Sequence, residues 1–562
     1  MTGLLQILPG TARGALLRSD EGLSFWGGVD ASTGTVIDAL HPLHGQSLAG
    51  RVLAMPTSRG SCTGSGVLLE LVLNGCAPAA LIFSEPEDVL TLGALIAARL
   101  FDHALPVLHA SPDRFAALKN GAEVQITPDR VTIDGTDHDI AQVTEGEVAL
   151  GLADQAMLDG SDGAAAAVCL GVVHDMARIQ GATQLIDIDR AHIDGCIYAS
   201  PANLTFAERM ADLGAQVRVP TTTNAISVDL ENWREQGVDP AFGTPAAALA
   251  QAYLRMGCAP SFTCAPYLLD DAPGLGQAIA WSESNAVIHA NTVLGARTAK
   301  HPDFLDLCIA VTGRAPESGV YLTANRAPRR ILSLDPSAVA LAADDVFWPL
   351  LGHLAGRLAP DLVPRIDGLN HAAPTADDLK ALCAAFGTTS AAPMLHITGH
   401  TPEADMPPAP DTDTVEVTAA MLRDDWASMD TGGEAVDLIA IGSPHASASE
   451  CRALVAALGG AKVAIPTIVT CARDTIKTIT ADGTLDALHA AGVRVIPDLC
   501  WCSITEPVFP PAAQTLMTNS AKYAHYAPGL SGRAVRFAGL SACARAALSG
   551  HAPHPTESPN AQ

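Results

Sequence analysis

The chain has 562 residues, 48% hydrophobic and 17% charged, with Lys and Arg totalling 33 against 60 for Asp and Glu. At about 150 residues per domain that is room for roughly three or four structural units, and 48 Gly and 38 Pro spread without a period exclude fibre or wholesale disorder. A formal net charge of -27 leaves no basic stripe for nucleic acid and repels anionic membranes, so a small anionic substrate has to meet a local Arg or Lys.

The opening MTGLLQILPGTARGALL has no basic n-region and is broken by Pro9 and Gly10, unlike a secretory signal. No apolar run reaches about 18 residues, so no membrane span is expected, and the chain reads as cytoplasmic. Thirteen cysteines in such a chain do not form a disulfide framework; they are core thiols or ligands.

Residues 1–145 carry short β-type runs at 52–55, 67–73, 80–83, 107–109 and 130–133. A helical pattern of Leu90, Ile96, Ala97 and Leu100 follows Glu87 and Asp88, whose carboxylates suit a helix N-terminus, so this first domain is mixed. From 146 to 550 helices at 164–180 and 202–213 alternate with a strand at 185–188, the texture of a layered α/β domain. Residues 399–414, Pro-rich and acidic, read as an exposed connection between two α/β stretches. Beyond it come strand 436–441, helix 449–458, strand 462–469, a helix near 485–491 and strand 493–497, successive β-α-β units of a parallel sheet. The tail, 551–562, is expected to be disordered. No internal repeat is evident.

Ligands of parallel sheets gather beyond the carboxyl ends of strands, which is where Cys471, Cys500, Cys502 and the segment Gly442-Ser443-Pro444-His445 fall. Cys264, in SFTCAPY, is a further candidate. Thiolates are what iron-sulfur clusters require, whereas zinc ribbons need C-x-x-C pairs that this chain lacks; buried inert thiols are the structural alternative. The loop RGSCTGSG (59–66), with Ser61 and Ser65, exposes backbone N–H groups suited to an anion or a serine alkoxide, or is an ordinary tight turn. It matches neither a P-loop nor a G-x-S-x-G elbow. In the stretch 279–304, Glu283, Ser284, Asn285, Asn291 and Arg297 stand among apolar residues and read as lining a polar cavity, with structural hydrogen bonding as the rival. Asn519-Ser520-Ala521-Lys522-Tyr523 offers an ammonium to a substrate carboxylate, or a solvated surface lysine.

Taken together, FWGGVDASTG (25–34), RGSCTGSG (59–66), TTTNAISVD (221–229), WSESNAVIHANTVLGART (281–298), IGSPHAS (441–447) and NSAKYAHY (519–526) resemble the aconitase X family over nearly the whole chain. The resemblance implies an α/β protein: a swivelling β/β/α small domain preceding a three-layer α/β/α aconitase-like large domain. It also implies an iron-sulfur cluster on Cys264, Cys500 and a third thiol, Cys471, with Cys502 its closest competitor. Where many members have Gly-Cys-Pro-His this chain has Ser443, which favours a two-iron (2Fe-2S) cluster over a four-iron one. The fused single chain implies a hydro-lyase of the branch that dehydrates cis-3-hydroxy-L-proline; the alternatives are the mevalonate 5-phosphate activity of the two-subunit branch and a non-catalytic iron-sulfur protein.

On that reading iron is the Lewis acid at the 3-hydroxyl and Ser65 the base at C2, with Ser61 the alternative. Arg297 or Lys522 clamps the carboxylate, Glu283 or His445 serves the departing hydroxyl, and Asn224, Ser284, Asn285 and Ser520 complete the pocket. A monomer acting on a small molecule is expected.

Overall fold

The computed structural model describes residues 3–59, 63–142 and 148–553. The chain forms two compact units: Met1–Thr221 with Gln251–Cys258 and His301–Ser318, and Thr222–Ala250 with Ala259–Lys300 and Gly319–Gln562.

The first unit is built on a nine-stranded sheet: β1 (Leu4–Leu8), β2 (Ala12–Arg18), β3 (Val52–Met55), β4 (Ala80–Phe83), β5 (Val107–Ala110), β6 (Glu123–Ile126), β7 (Arg130–Ile133), β8 (Thr136–Asp139) and β9 (Ala141–Gln142). Its order is β8-β7-β6-β2-β3-β4-β5-β1-β9. The central β2-β3-β4-β5 run is parallel, and β6, β7 and β8 form an antiparallel meander. β3 and β4 are buried on every residue, as parallel strands covered on both faces must be.

Two helices pack together beside this sheet: α1 (Gly64–Leu73) and α2 (Val89–Phe101). The run 67–73, which its β-type residues predict to be a strand, is therefore the body of α1. Nine of its ten residues are buried, so no polar face imposes a helical period on the sequence. α2 lies where expected, but Glu87 rather than Asp88 serves its N-terminus: the Glu87 carboxylate accepts the Leu90 and Thr91 N–H groups at 2.8 and 2.9 Å. The predicted helices at 164–180 and 202–213 are Ala164–Ile179 and Pro201–Asp212.

The second unit contains two parallel sheets. Strands Arg330–Leu334, Pro364–Asp367, His396–Ile397 and Asp413–Val417 lie in the order 3-2-1-4 when numbered along the chain. Strands Leu438–Ile441, Thr467–Thr470, Arg494–Ile496, Thr515–Thr518 and Ala534–Phe537 lie in the order 3-2-1-4-5, every pair parallel. The two sheets thus share a topology that the sequence does not betray as a repeat.

Residues 399–412 do not separate two sheets; they lead from one strand to another within the four-stranded sheet, and Glu403 is tied to the buried Arg326, whose Nε donates at 2.7 Å. The strand anticipated at 462–469 begins only at Thr467, and a helix at Arg473–Ala481, unanticipated, precedes the expected one at Thr484–Ala490. No described helix is long and apolar enough to cross a membrane.

Candidate functional site

In the 3-2-1-4-5 sheet the strand order reverses between Leu438–Ile441 and Thr515–Thr518, and the crevice beyond the carboxyl ends at such a reversal is where ligands bind. The loop after the first of these strands carries Ser443 and His445; after the second come Ser520 and, in the first turn of the helix that follows, Lys522. Ser520 caps the helix Ala521–Ser531 by accepting the Tyr523 N–H at 3.1 Å, and its hydroxyl donates to the Ser443 carbonyl, bridging the reversal. The third strand, Arg494–Ile496, delivers Cys500; the adjoining Trp501 indole donates to the Ile441 carbonyl at 2.8 Å.

Three thiols meet here. Cys264 and Cys500 share a small buried cluster with Ala225, and Cys502 packs against it. The Cys500 sulfur is hydrogen-bonded to both Cys264 and Cys502 and also accepts the Cys502 backbone N–H at 3.5 Å. Those thiol bonds, aided by the Lys522 ammonium, hold the Cys500 thiol well below its ordinary value; the bond to Cys500 and burial push Cys264 up, and Cys502 likewise. Both principal loops enter through a non-glycine residue of positive φ, Phe262 at 38° and Asp498 at 68°, each two residues before its cysteine. Such strain persists only where the surroundings enforce it. For Asp498 they do: its carboxylate receives Arg473 Nε and a terminal guanidinium nitrogen at 2.7 and 2.6 Å, and its carbonyl accepts the Ile226 N–H at 2.7 Å.

Beside the thiols lies a buried ion pair. Lys522 Nζ donates to Glu283 Oε1 at 2.7 Å. Asn285 Nδ2 donates to the same oxygen at 2.6 Å and Asn224 Nδ2 to Oε2 at 3.2 Å. Burial alone would raise the Glu283 carboxyl, but the Lys522 ammonium and the amide hold it below its usual value, while Glu283 and the thiols hold Lys522 well above its own. The pair is therefore ionised. Asn285 also donates to the Cys264 carbonyl at 2.9 Å and accepts from the Tyr267 hydroxyl at 2.8 Å, tying carboxylate and thiol loop together. Ser284, the first residue of the helix Ser284–His289, is half-buried.

His445 is fully buried and has no group left for a substrate. Its Nε2 bonds the Leu499 carbonyl at 2.7 Å, Nδ1 faces the Thr263 hydroxyl at 3.3 Å, and its backbone N–H donates to the Cys264 sulfur at 3.2 Å. Burial lowers its pKa, so the ring is neutral. One histidine thus grips the residues immediately before Cys264 and Cys500.

Three anticipated residues are not brought to this place. Cys471 lies in a separate apolar cluster, facing the Cys451 thiol. Arg297 is engaged with the Tyr321 carbonyl at 2.7 Å, the Thr323 hydroxyl at 2.8 Å and Glu403 at 3.7 Å. Asn291 is structural, donating to the Thr298 and Pro393 carbonyls.

Ser65 belongs to the first unit. It is the second residue of α1, fully buried, and its hydroxyl donates to the Asp303 carbonyl at 3.2 Å. Gly93 of α2 lies against its backbone: a Cβ there would stand 2.7 Å from the Ser65 carbonyl oxygen. Ser61 lies outside the described residues.

No group of three or more His, Cys, Asp or Glu among the described residues is spaced for a metal ion; Cys264 and Cys502 each face the Cys500 thiol instead. Their chemistry nonetheless suits an iron-sulfur cluster: three adjacent sulfurs, two of them accepting backbone N–H groups, beside an ammonium that offsets thiolate charge.

Family models cover the chain in four consecutive parts: the Aconitase X swivel domain at residues 4–135, first domain at 147–324, second domain at 328–427 and third domain at 436–549. The chain belongs to the aconitase X family. It is 49% identical to cis-3-hydroxy-L-proline dehydratase of Pseudomonas aeruginosa, over 97% of this chain and 96% of that one. It is 44% identical to the enzyme of the same name from Hypocrea jecorina, over 96% and 94%. The crystal structure of Thermococcus kodakaraensis aconitase X in its holo-form superposes with a TM-score of 0.64 at 27% identity, over 71% of this chain and all of that one. As an aconitase X protein whose full-length relatives are dehydratases, the chain is a hydro-lyase with the α/β architecture of that family.

Proposed function

We propose that this chain dehydrates cis-3-hydroxy-L-proline to Δ1-pyrroline-2-carboxylate. The observation that carries the reading is the buried, ionised Glu283–Lys522 pair standing beside three clustered free thiols at the strand-order reversal. The near full-length identity to two enzymes of that name supports the substrate.

A cyclic amino acid brings a carboxylate and a ring ammonium. The Lys522 ammonium receives the first and the Glu283 carboxylate the second, an exchange in which neither buried charge is left alone. Asn224 and Asn285 keep Glu283 oriented throughout. Cys264, Cys500 and Cys502 would hold the iron-sulfur cluster, which when bound would supply Lewis acidity for the substrate's 3-hydroxyl. Ser65 takes the C2 proton, its place near the N-terminus of α1 favouring negative charge on oxygen. The C2 proton and the departing hydroxyl make the one water lost, and the resulting enamine tautomerises to the pyrroline.

The test is anaerobically reconstituted protein given cis-3-hydroxy-L-proline, its trans isomer and mevalonate 5-phosphate, with the pyrroline trapped by o-aminobenzaldehyde. Turnover of the cis isomer alone is expected. Turnover of mevalonate 5-phosphate, or of none of the three by cluster-bearing protein, overturns the substrate. Iron and sulfide analysis with EPR tests the two-iron cluster separately.

A further inference from the structure

Against the His445 carbonyl lies a buried charged group that the proposed chemistry does not use. Lys380, on the helix Ala376–Thr389, has only 2% of its side chain exposed. Its ammonium pairs with Glu450 and, at 3.3 Å, with Asp377, and donates to the His445 carbonyl at 3.3 Å. The two carboxylates also fix the next turn of the chain: Glu450 accepts the Ser447 N–H at 2.9 Å and Asp377 the Ser447 hydroxyl at 3.0 Å.

A buried ammonium is costly to desolvate, and an apolar contact between helices is often as stable as such a network. What the network adds is direction. The 445–446 peptide is anchored on one edge by the Ala446 N–H, which donates to the Thr470 carbonyl at 2.9 Å, and the loop is held in addition at the residue 445 carbonyl and at Ser447 from a helix outside its own β-α unit. The peptide planes flanking His445 are thereby set from both sides, its carbonyl toward Lys380 and its N–H toward the Cys264 sulfur.

We infer that Lys380 is a positioning residue for the thiol site: by holding the His445 carbonyl it sets the N–H and imidazole contacts that space the Cys264 and Cys500 loops. Its effect passes through the residue 445 carbonyl and through the Glu450 and Asp377 carboxylates that hold Ser447. The inference rests on the proposed function only for its consequence, which is that Lys380 tunes the environment of whatever the thiols bind.

The test starts with the protein free of iron. Alkylation of Cys264 and Cys500 by iodoacetamide, resolved by peptide mass spectrometry, proceeds by local opening, with Cys543 in the separate core cluster as the internal reference. In Lys380→Met both site cysteines should react about tenfold faster relative to Cys543, roughly the effect of one hydrogen bond lost. His445→Ala should do the same, and the double variant should add little to the larger single effect, as coupled residues do. Glu450→Gln, which keeps an oxygen for Ser447, should give a smaller shift in the same direction and carries the test if Lys380→Met does not fold. Reconstituted Lys380→Met should show shifted EPR g-values. A lowered melting temperature with unchanged relative alkylation, or additive effects in the double variant, overturns the inference. If the wild-type protein assembles no cluster, the iron reading fails while the alkylation result still decides the role of Lys380.

Discussion

At the scale of single residues, thiol and hydroxyl roles separate cleanly. Ser65→Ala removes a proposed base and no thiol, so turnover should fall at least about a hundredfold while iron content stays intact; near-normal turnover would reject the assignment. Cys502→Ala should lose iron, whereas Cys471→Ala should keep it and cost about 1 kcal/mol of stability, because Cys471 packs with Cys451 in a separate core. The sequence placed both cysteines at strand ends and had no means of telling them apart, since the choice depends on which way each side chain turns. A third residue, Asp306, is buried with its carboxylate on the Asp194 and Leu307 N–H groups at 2.7 Å each. Burial outweighs those bonds and raises its pKa from 3.8 to about 6. A raised acid binds its proton more tightly in the folded state, so the stability it contributes is present below pH 4 and is lost as pH climbs through 6. The melting-temperature difference between wild type and Asp306→Asn should therefore move against the wild type between pH 4 and pH 7, by the equivalent of at most about 3 kcal/mol. A pH-independent difference would show that Asp306 does not change its ionisation across that range.

Among elements, helix α1 shows both what patterning reveals and what it hides. Its run 67–73 was legible as apolar and β-type but not as helical, because a helix covered on all sides loses its period. The cue lay in Gly93, which lets α2 meet the α1 backbone at Ser65. Gly93→Ala drives a Cβ to 2.7 Å from the Ser65 carbonyl oxygen, a backbone contact that cannot yield by a rotamer change. The expected result is a loss of about 1–3 kcal/mol in thermal or denaturant unfolding, with a fall in kcat beyond what the folded fraction explains. The parallel character of the five-stranded sheet, by contrast, was readable from three of its strands, which alternate with helices, and the chemistry-bearing loops fell at strand ends; its order and the strands Thr515–Thr518 and Ala534–Phe537 were not. Lys380 was not legible at all. On a helix of mixed character one lysine looks solvated, and only the fold sets two carboxylates and a carbonyl around it.

For the molecule as a whole, the governing quantity is charge. A formal net charge of -27 produces a field that opposes the approach of any anion and weakens as salt screens it. An amino acid such as cis-3-hydroxy-L-proline is a zwitterion of zero net charge near neutrality, so that field exerts little long-range force on it. Its kcat/KM should change by less than about twofold between 50 and 500 mM salt, because the local Glu283–Lys522 pair is too buried for salt to reach. A phosphorylated carboxylic acid carries several negative charges, and its kcat/KM would rise several-fold over the same range as repulsion is screened. Steady-state kinetics across that salt series, with a neutral osmolyte as control, therefore distinguish the two substrate classes by a property of the whole surface. A steep rise with the hydroxyproline would mean that the reacting form is anionic, bound with its ring nitrogen deprotonated. Glu283 would then have no ring ammonium to receive, and its pairing with Lys522 would have to persist in the complex.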